Sequence, residues 1–290
     1  ELIRSRGIAI LGPGVGDQAC GETGPGRMLD PAELVEAVLA AVPSRAASAV
    51  TAGALAGRKV LVTAGPTRER IDPVRFITNR SSGKMGYAVA EAARDAGAEV
   101  VLVSGPVNLP APPGVRRVCV ETAEQMLAAV NADLAGTDIF IASAAVSDYR
   151  PVQVSSEKIK KTSDSLLLAL SRTPDILANV AAGHPRPFVV GFAAETQNVE
   201  RNALAKLEGK RLDMIAANQV GDGLAFDCDD NALTLYWPGG KRELERAGKA
   251  RLAGQLIRVI AERFASSDAR VAPASVVATA SPKSGSAAAG

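Results

Sequence analysis

Aromatic residues are scarce, at 3% of 290 positions, so a base-stacking platform for single-stranded nucleic acid is disfavoured. Histidine occurs once, as His184 in the loop Gly183-His184-Pro185-Arg186. It reads as a loop residue rather than a catalyst, which leaves no Ser–His or Cys–His nucleophilic pair, and a reaction that needs no strong general base fits best. The three cysteines, Cys20, Cys119 and Cys228, are odd in number and far apart. They offer neither a disulfide framework nor metal-ligand spacing, and a reducing cytoplasm is the expected setting. Net charge is only +2, so no strong field selects nucleic acid or an acidic membrane. No apolar run approaches the ~18 residues of a membrane span. The opening ELIRSRGIAILGPG has no signal-peptide core or cleavage pattern, and the missing initiator Met suggests a piece of a longer chain.

What is present is a globular composition, 47% hydrophobic and 22% charged, with basic residues clustered at 68–84 and 158–161. The richest stretch is RKVLVTAGPTRERIDPVRFITNRSSGKMG at 58–86. Lys59–Thr63 is a β-branched apolar run that reads as a buried parallel strand. It ends in the tight turn Gly65-Pro66-Thr67, followed by a polar loop with Arg68, Arg70, Arg75, Asn79 and Arg80. Ser81, Ser82, Gly83 and Lys84 then open a helix. A strand, a turn, a basic loop and a Gly-rich helix start together predict a phosphate site at the carboxyl end of a parallel sheet. The standard motifs do not fit: a P-loop would need Ser or Thr at Met85 and Gly at Thr78, and the dinucleotide fingerprint would need Gly at Ser81. The competing reading is a plain helix cap by Ser81 or Ser82.

Four segments follow from composition. Residues 1–40 carry a Gly-rich loop and a helix start, with Asp30 as cap, Pro31 in the first turn and Glu33 three residues after the cap. Residues 41–57 read as a small-residue linker. Residues 58–265 form the main domain, and 266–290 a disordered tail. The main domain alternates strands (99–104, 138–144, 188–193, 213–217, 232–237) with helices (86–96, 122–134, 175–182, 199–208, 249–264). This predicts a doubly wound, mainly parallel α/β sheet of Rossmann-like type. The basic segment SSEKIKKT at 155–162 reads either as a solvated hairpin or loop, or as a mobile lid whose lysine closes over phosphates.

Ligands in such sheets sit outside the carboxyl strand ends. Here these ends supply Gly65-Pro66-Thr67, Gly105-Pro106, Ala144–Asp148 and Phe192–Glu195. The small residues admit a close ligand, although tight packing explains some of them. Asp148 and Glu195, directly after apolar strands, are harder to explain by packing.

These residues closely resemble the phosphopantothenate–cysteine ligase (phosphopantothenoylcysteine synthetase) family. The matching stretches are TAGPTRERIDPVRFITNRSSGKMG at 63–86, SGPVNLPAPPGV at 104–115, AAVSDYRP at 144–151, EKIKK at 157–161, TPDIL at 173–177 and VVGFAAET at 189–196. The resemblance implies CTP as co-substrate, Mg²⁺, and substrates 4′-phosphopantothenate and cysteine joined through an acyl-cytidylate. By resemblance, Asn79 and Arg75 face the developing anion and Lys158 is the lid lysine of the second half-reaction. Ala144, Ala145, Asp148, Lys158, Pro174, Asp175, Ile176, Leu177, Phe192, Lys206 and Lys210 bind the nucleotide. Gly65, Ser81, Ser82, Gly83 and Lys84 form the phosphate loop. A homodimer through this domain is also implied.

QACGETGPGRM at 18–28 resembles the end of a flavin-dependent phosphopantothenoylcysteine decarboxylase, with Cys20 its reactive cysteine. Fusion of the two enzymes implies FMN and a larger homo-oligomer for the full-length protein, but no decarboxylation by residues 1–40 alone. Two alternatives stay open: a nicotinamide-dependent reductase, and a non-catalytic dimerisation module. The reductase lacks the Asp or Glu expected after the strand EVVLVS.

Overall fold

The computed structural model describes residues 11–12, 14–17, 23–27, 29–31, 33–35, 53–161, 164–219 and 230–271. Cys20, Cys228, most of the expected linker and the chain beyond residue 271 lie outside them. Near the start, β1 (Gly14–Asp17) pairs antiparallel with β2 (Thr23–Arg27). The helical turn after Asp30 has the expected cap logic: Leu34 N–H donates to Asp30 O at 3.0 Å, and Asp30 N–H donates to Glu33 Oε2 at 3.1 Å.

The main unit opens with β3 (Lys59–Ala64), β4 (Arg68–Arg70), β5 (Phe76–Thr78) and α1 (Lys84–Asp95). Next come β6 (Glu99–Ser104), β7 (Arg116–Cys119), α2 (Ala123–Asp133) and β8 (Ile139–Ala142). β9 (Tyr149–Pro151), β10 (Leu170–Arg172), α3 (Ile176–Ala182), β11 (Phe188–Glu195) and α4 (Val199–Gly209) follow. The last elements are β12 (Met214–Gln219), β13 (Asp230–Trp237), β14 (Gly240–Gly248) and α5 (Lys249–Val271).

One eight-stranded sheet has the order β14-β13-β12-β11-β8-β3-β6-β7. It is parallel from β12 to β7, with β13 and β14 antiparallel at one edge. Side chains alternate across it. On one face Val60, Val62, Val100 and Leu102 pack with Val89 of α1 and with Leu252, Leu256 and Ile260 of α5. On the other, Leu61, Val101 and Val103 pack with Met126 of α2, Val180 of α3 and Leu207 of α4. Helices thus cover both faces, which makes the sheet doubly wound as expected. The chain runs outward from β3 through β6 to β7, then returns to place β8 on the other side of β3. This reversal opens a crevice at the carboxyl ends of β3 and β8.

The structure departs from the sequence reading at several points. The expected linker ends in a turn that belongs to the core: Leu55 is buried and its N–H donates to Ala96 O at 2.9 Å. α5 continues to Val271, so residues 266–271 are helical rather than tail; no proline interrupts the chain before Pro273. α1 is capped by Gly83, not by a serine, although Ser81 Oγ accepts from Gly83 N–H at 3.3 Å. The segment 155–161 is a loop inserted between β9 and β10, which pair with each other.

Candidate active site

The crevice is built where β3 and β8 stop being strands but remain bonded. Gly65 turns with φ +74°, Ala145 N–H donates to Gly65 O at 2.9 Å, and Pro66 bridges Ala145 in parallel. The buried Thr67 ties the two ends further. Its Oγ1 accepts from Ser147 N–H at 3.0 Å, and its carbonyl accepts from Thr78 Oγ1 at 2.7 Å. Asn79 completes the tie: Nδ2 donates to Val146 O at 2.9 Å. The loop Ala144–Asp148 is therefore held from below by β3 and from the side by the β4–β5 hairpin.

Gly83 adopts φ +75°, which a β-carbon strains, and starts α1 next to this loop. A β-carbon on Gly86 would meet Ala64 Cβ and Ser143 Oγ at 2.5 Å, so glycine lets the helix start lie directly on the strand end. The first-turn N–H groups and the positive end of the helix dipole face the crevice.

Two cavities meet here. One, about 540 Å³, has Asn79, Arg80, Ser81, Ser82, Gly83 and Lys84 on one wall and Lys206, Asn218 and Lys249 on the other. The second, about 500 Å³, runs between the 144–148 loop and the start of α3, lined by Arg172, Thr173, Pro174, Asp175, Ile176, Leu177 and Lys210. Ala144, Val146, Asp148, Phe192 and Lys206 line both. The result is a cradle rich in basic side chains, joined along a shared wall to a slot of nucleotide size.

Electrostatics follow from this packing. Lys206 reaches across from α4 and donates to Phe192 O at 2.7 Å. Burial pushes its ammonium pKa down, and Lys210 adds to that, against the pull of Glu195, Asp175 and Asp148. Asp175 caps α3 by accepting from Ala178 N–H at 2.9 Å and pairs with Lys210 at 2.5 Å. Burial raises the Asp175 carboxyl, but the Lys210 hydrogen bond, the Ala178 N–H and the lysine charges outweigh it, and its pKa is lowered. With a folded pKa below the unfolded value near 3.9, this group's stabilisation is present above that value and lost as pH falls through the folded pKa. Asp175→Ala should cost about 1 kcal/mol at pH 7, the usual value of a cap, and flatten the acid limb of a thermal-stability profile. A wild-type acid limb in the variant would refute this.

Most of the sequence-derived positions line the two cavities. Ala144, Ala145, Asp148, Pro174–Leu177, Phe192, Lys206 and Lys210 do so, as do Asn79 and Ser81–Lys84. Gly65 lies beneath as the turn. Arg75 and Lys158 are not on either wall. Arg75 Nε and one Nη donate to Asp72 Oδ2 at 3.0 and 2.6 Å, and that Nη also reaches Ile159 O at 3.1 Å. Lys158 sits exposed in the adjacent loop. Glu195 accepts from Asn202 Nδ2 at 2.9 Å and braces the start of α4. Gly105-Pro106 packs under the Gly65 turn. The sequence reading missed Arg172, Thr173, Asn218 and Lys249. Asn218 was within reach of the strand-end rule, because β12 continues past the expected Ala217.

Among the described residues, no group of three or more His, Cys, Asp or Glu side chains is placed to hold a metal, and no helix is long and apolar enough to cross a membrane.

Residues 55–264 match the family model described as DNA/pantothenate metabolism flavoprotein C-terminal domain. The coenzyme A biosynthesis bifunctional protein CoaBC of Vibrio vulnificus is 50% identical over 262 residues, covering 88% of this chain and 63% of that protein. The CoaBC protein of Escherichia coli K12 is 49% identical over 269 residues, 91% of this chain and 64% of that protein. The chain thus spans a little under two thirds of the length of these curated relatives. A crystal structure of the C-terminal domain of a CoaBC protein superimposes with TM-score 0.64 at 43% identity, over 74% of this chain and all of that one. The chain belongs to the family of DNA/pantothenate metabolism flavoprotein C-terminal domains.

Proposed function

We propose that this chain is a CTP-dependent ligase that joins 4′-phosphopantothenate to L-cysteine. The observation that carries the reading is the shared wall. One cavity has the helix start and cations that a phosphorylated acid requires. The other has the volume for a nucleotide and Lys206 and Lys210 on its lining, and both open onto Ala144, Val146, Asp148 and Lys206.

In the first step the phosphopantothenate carboxylate, ionised at neutral pH, attacks the α-phosphorus of CTP, and pyrophosphate leaves. The amine of cysteine then attacks the acyl carbon, CMP leaves with the bonding electrons, and the amine releases a proton. Neither step requires a histidine. The first requires neutralised polyphosphate charge, which suits Lys206 and Lys210, and the second requires alignment of the amine and of the CMP leaving group, which suits the lid residue Lys158. Asn79 holds the acyl-cytidylate beside the 144–148 loop. The remaining Nη of Arg75 is the group available to an anion. Mg²⁺ would be held mainly by phosphate oxygens and water, with Asp148 the protein carboxylate on the shared wall, and would neutralise the pyrophosphate leaving group.

The rest of the reading concerns longer proteins of the CoaBC type. There, residues 1–40 would close a decarboxylase containing FMN and Cys20, residues 41–52 would link it to the ligase unit, and larger homo-oligomers would form in the cytoplasm. A ligase homodimer suits the exposed apolar side chains Tyr149, Val152, Val154 and Leu167 around β9 and β10.

The test is pyrophosphate and CMP release from CTP with 4′-phosphopantothenate and Mg²⁺, with and without cysteine, and with ATP in place of CTP. Pyrophosphate that depends on phosphopantothenate, and CMP turnover that depends on cysteine, are expected. A folded protein that cleaves no nucleotide would overturn the proposal.

A further inference from the structure

The basic loop that carries Lys158 is fastened to the protein at one buried carboxylate. The Asp72 side chain is fully buried, although it lies in a short turn between β4 and β5. It accepts from five donor groups. Oδ1 takes the backbone N–H of Val74 and of Arg75, both at 2.8 Å. Oδ2 takes Arg75 Nε at 3.0 Å, Arg75 Nη at 2.6 Å and the backbone N–H of Ile159 at 3.2 Å. The same Arg75 Nη donates to Ile159 O at 3.1 Å. The peptide groups flanking Ile159 are thus gripped on both polarities by side chains, as a neighbouring strand would grip them. One further bond, Ser155 N–H to Ile71 O at 3.0 Å, holds the base of the loop to the same turn.

Lys158 directly precedes Ile159, and Asn79 lies four residues after Arg75. Asp72 therefore sits at the junction of the two segments whose side chains would have to converge on one acyl-cytidylate. Nothing else among the described contacts ties 157–161 to the β4–β5 hairpin. The Arg75 hydrogen bond, opposed by burial and aided by the three backbone N–H groups, holds the Asp72 carboxyl well below the usual carboxylate range, so the grip persists throughout the working pH range.

We propose that Asp72 is a positioning residue that latches the Lys158 loop in register with Asn79, and that the latch serves the cysteine-dependent half-reaction. This rests on the ligase reading above. An asparagine at 72 keeps an acceptor for the turn N–H groups but sets an amide NH₂ against Arg75 or the Ile159 N–H, so the loop detaches while the turn persists. A displaced group of this kind can cost about 10²-fold in one step without touching the reacting atoms.

The experiment compares wild type, Asp72→Asn, Lys158→Gln and the double variant. It reads the pyrophosphate burst without cysteine, CMP turnover with cysteine, and the rate of trypsin cleavage after Lys158, Lys160 and Lys161. In Asp72→Asn the burst should stay within about threefold of wild type, CMP turnover should fall about 10- to 100-fold, and loop cleavage should speed up at least about tenfold. The double variant should be no slower than the worse single variant, as expected for residues acting as a unit. Ile159→Pro removes the N–H donor and leaves the buried carboxylate in place, while also fixing φ at 159 and restricting Lys158; read for cleavage after Lys160 and Lys161, it should reproduce the split and the faster cleavage even if Asp72→Asn is too unstable to purify. Equal loss of both steps, additive losses, or unchanged cleavage would overturn the latch. A wild type that makes no pyrophosphate would instead sink the ligase reading, and the cleavage rates alone would then decide whether Asp72 holds the loop.

Discussion

Asn79→Ala should lower product formation about 10²- to 10³-fold, the loss seen when a single donor facing a developing anion is removed. The side chain is exposed and its one short hydrogen bond is to Val146 O, so its contribution to stability is small, about 1 kcal/mol. In a unit of this size that corresponds to a melting shift of about 2–4 °C. Large kinetic and small thermal effects together are what distinguish a residue that meets the reaction from one that merely braces the 144–148 loop. Both should be measured on one preparation, with CMP release followed beside thermal unfolding. Asn79→Asp sharpens the contrast, since it keeps the shape but sets a negative charge against an anionic intermediate; it should be at least as slow. If either variant retains more than about a fifth of wild-type turnover, Asn79 does not play the role assigned to it.

The second large effect is structural. A β-carbon at Gly105 would lie 1.8 Å from Pro66 O, a backbone atom with no freedom to move away. Gly105 N–H also donates to Ala64 O at 2.9 Å, and its carbonyl accepts from the buried Ser104 Oγ at 2.8 Å, so the glycine is fixed on both sides. Gly105→Ala must push the β6 end away from the Pro66 turn, at a cost of about 3 kcal/mol or more. Melting should fall by about 6–12 °C. Because Pro66 bridges Ala145, the displacement reaches the shared wall of the two cavities, and the affinity for CTP should weaken as well. Gly254→Ala is the control: that helical position has open space around it and should gain about 0.5–1 kcal/mol. Equal melting temperatures for the two variants would refute the steric argument.

The central strands were legible in the sequence because burial on both faces writes itself as continuous runs such as Lys59–Ala64 and Glu99–Ser104. The charged edge strands β7 and β14 were not, because half of each faces water and the hydrophobic signal falls away. Nor were the three-residue pairs β4–β5 and β9–β10, which are too short to show any period. For the site, the strand-end rule led to Asp148 and Phe192 but also to Glu195, which serves helix α4 instead. The expectation that Pro174–Leu177, Lys206 and Lys210 face a nucleotide comes from family resemblance alone, since nothing in their spacing distinguishes them from an ordinary helix start and an ordinary charged helix face. The engagement of Arg75 with the loop at Ile159 could not be read at all, because that contact joins residues 84 apart in the chain.

The two edges of the sheet have a consequence for how the chain behaves in a crowded solution. On β14, Lys241, Arg242, Glu243, Glu245 and Arg246 are exposed and only Leu244 is buried, while β7 ends the opposite side with exposed Arg116 and Arg117. A stray strand from another molecule that tried to extend either border would have to lie against a row of hydrated charges. The sheet is therefore closed to main-chain recruitment at both borders, and the long apolar strands at its centre are shielded from the aggregation that such sequences invite when a border is bare.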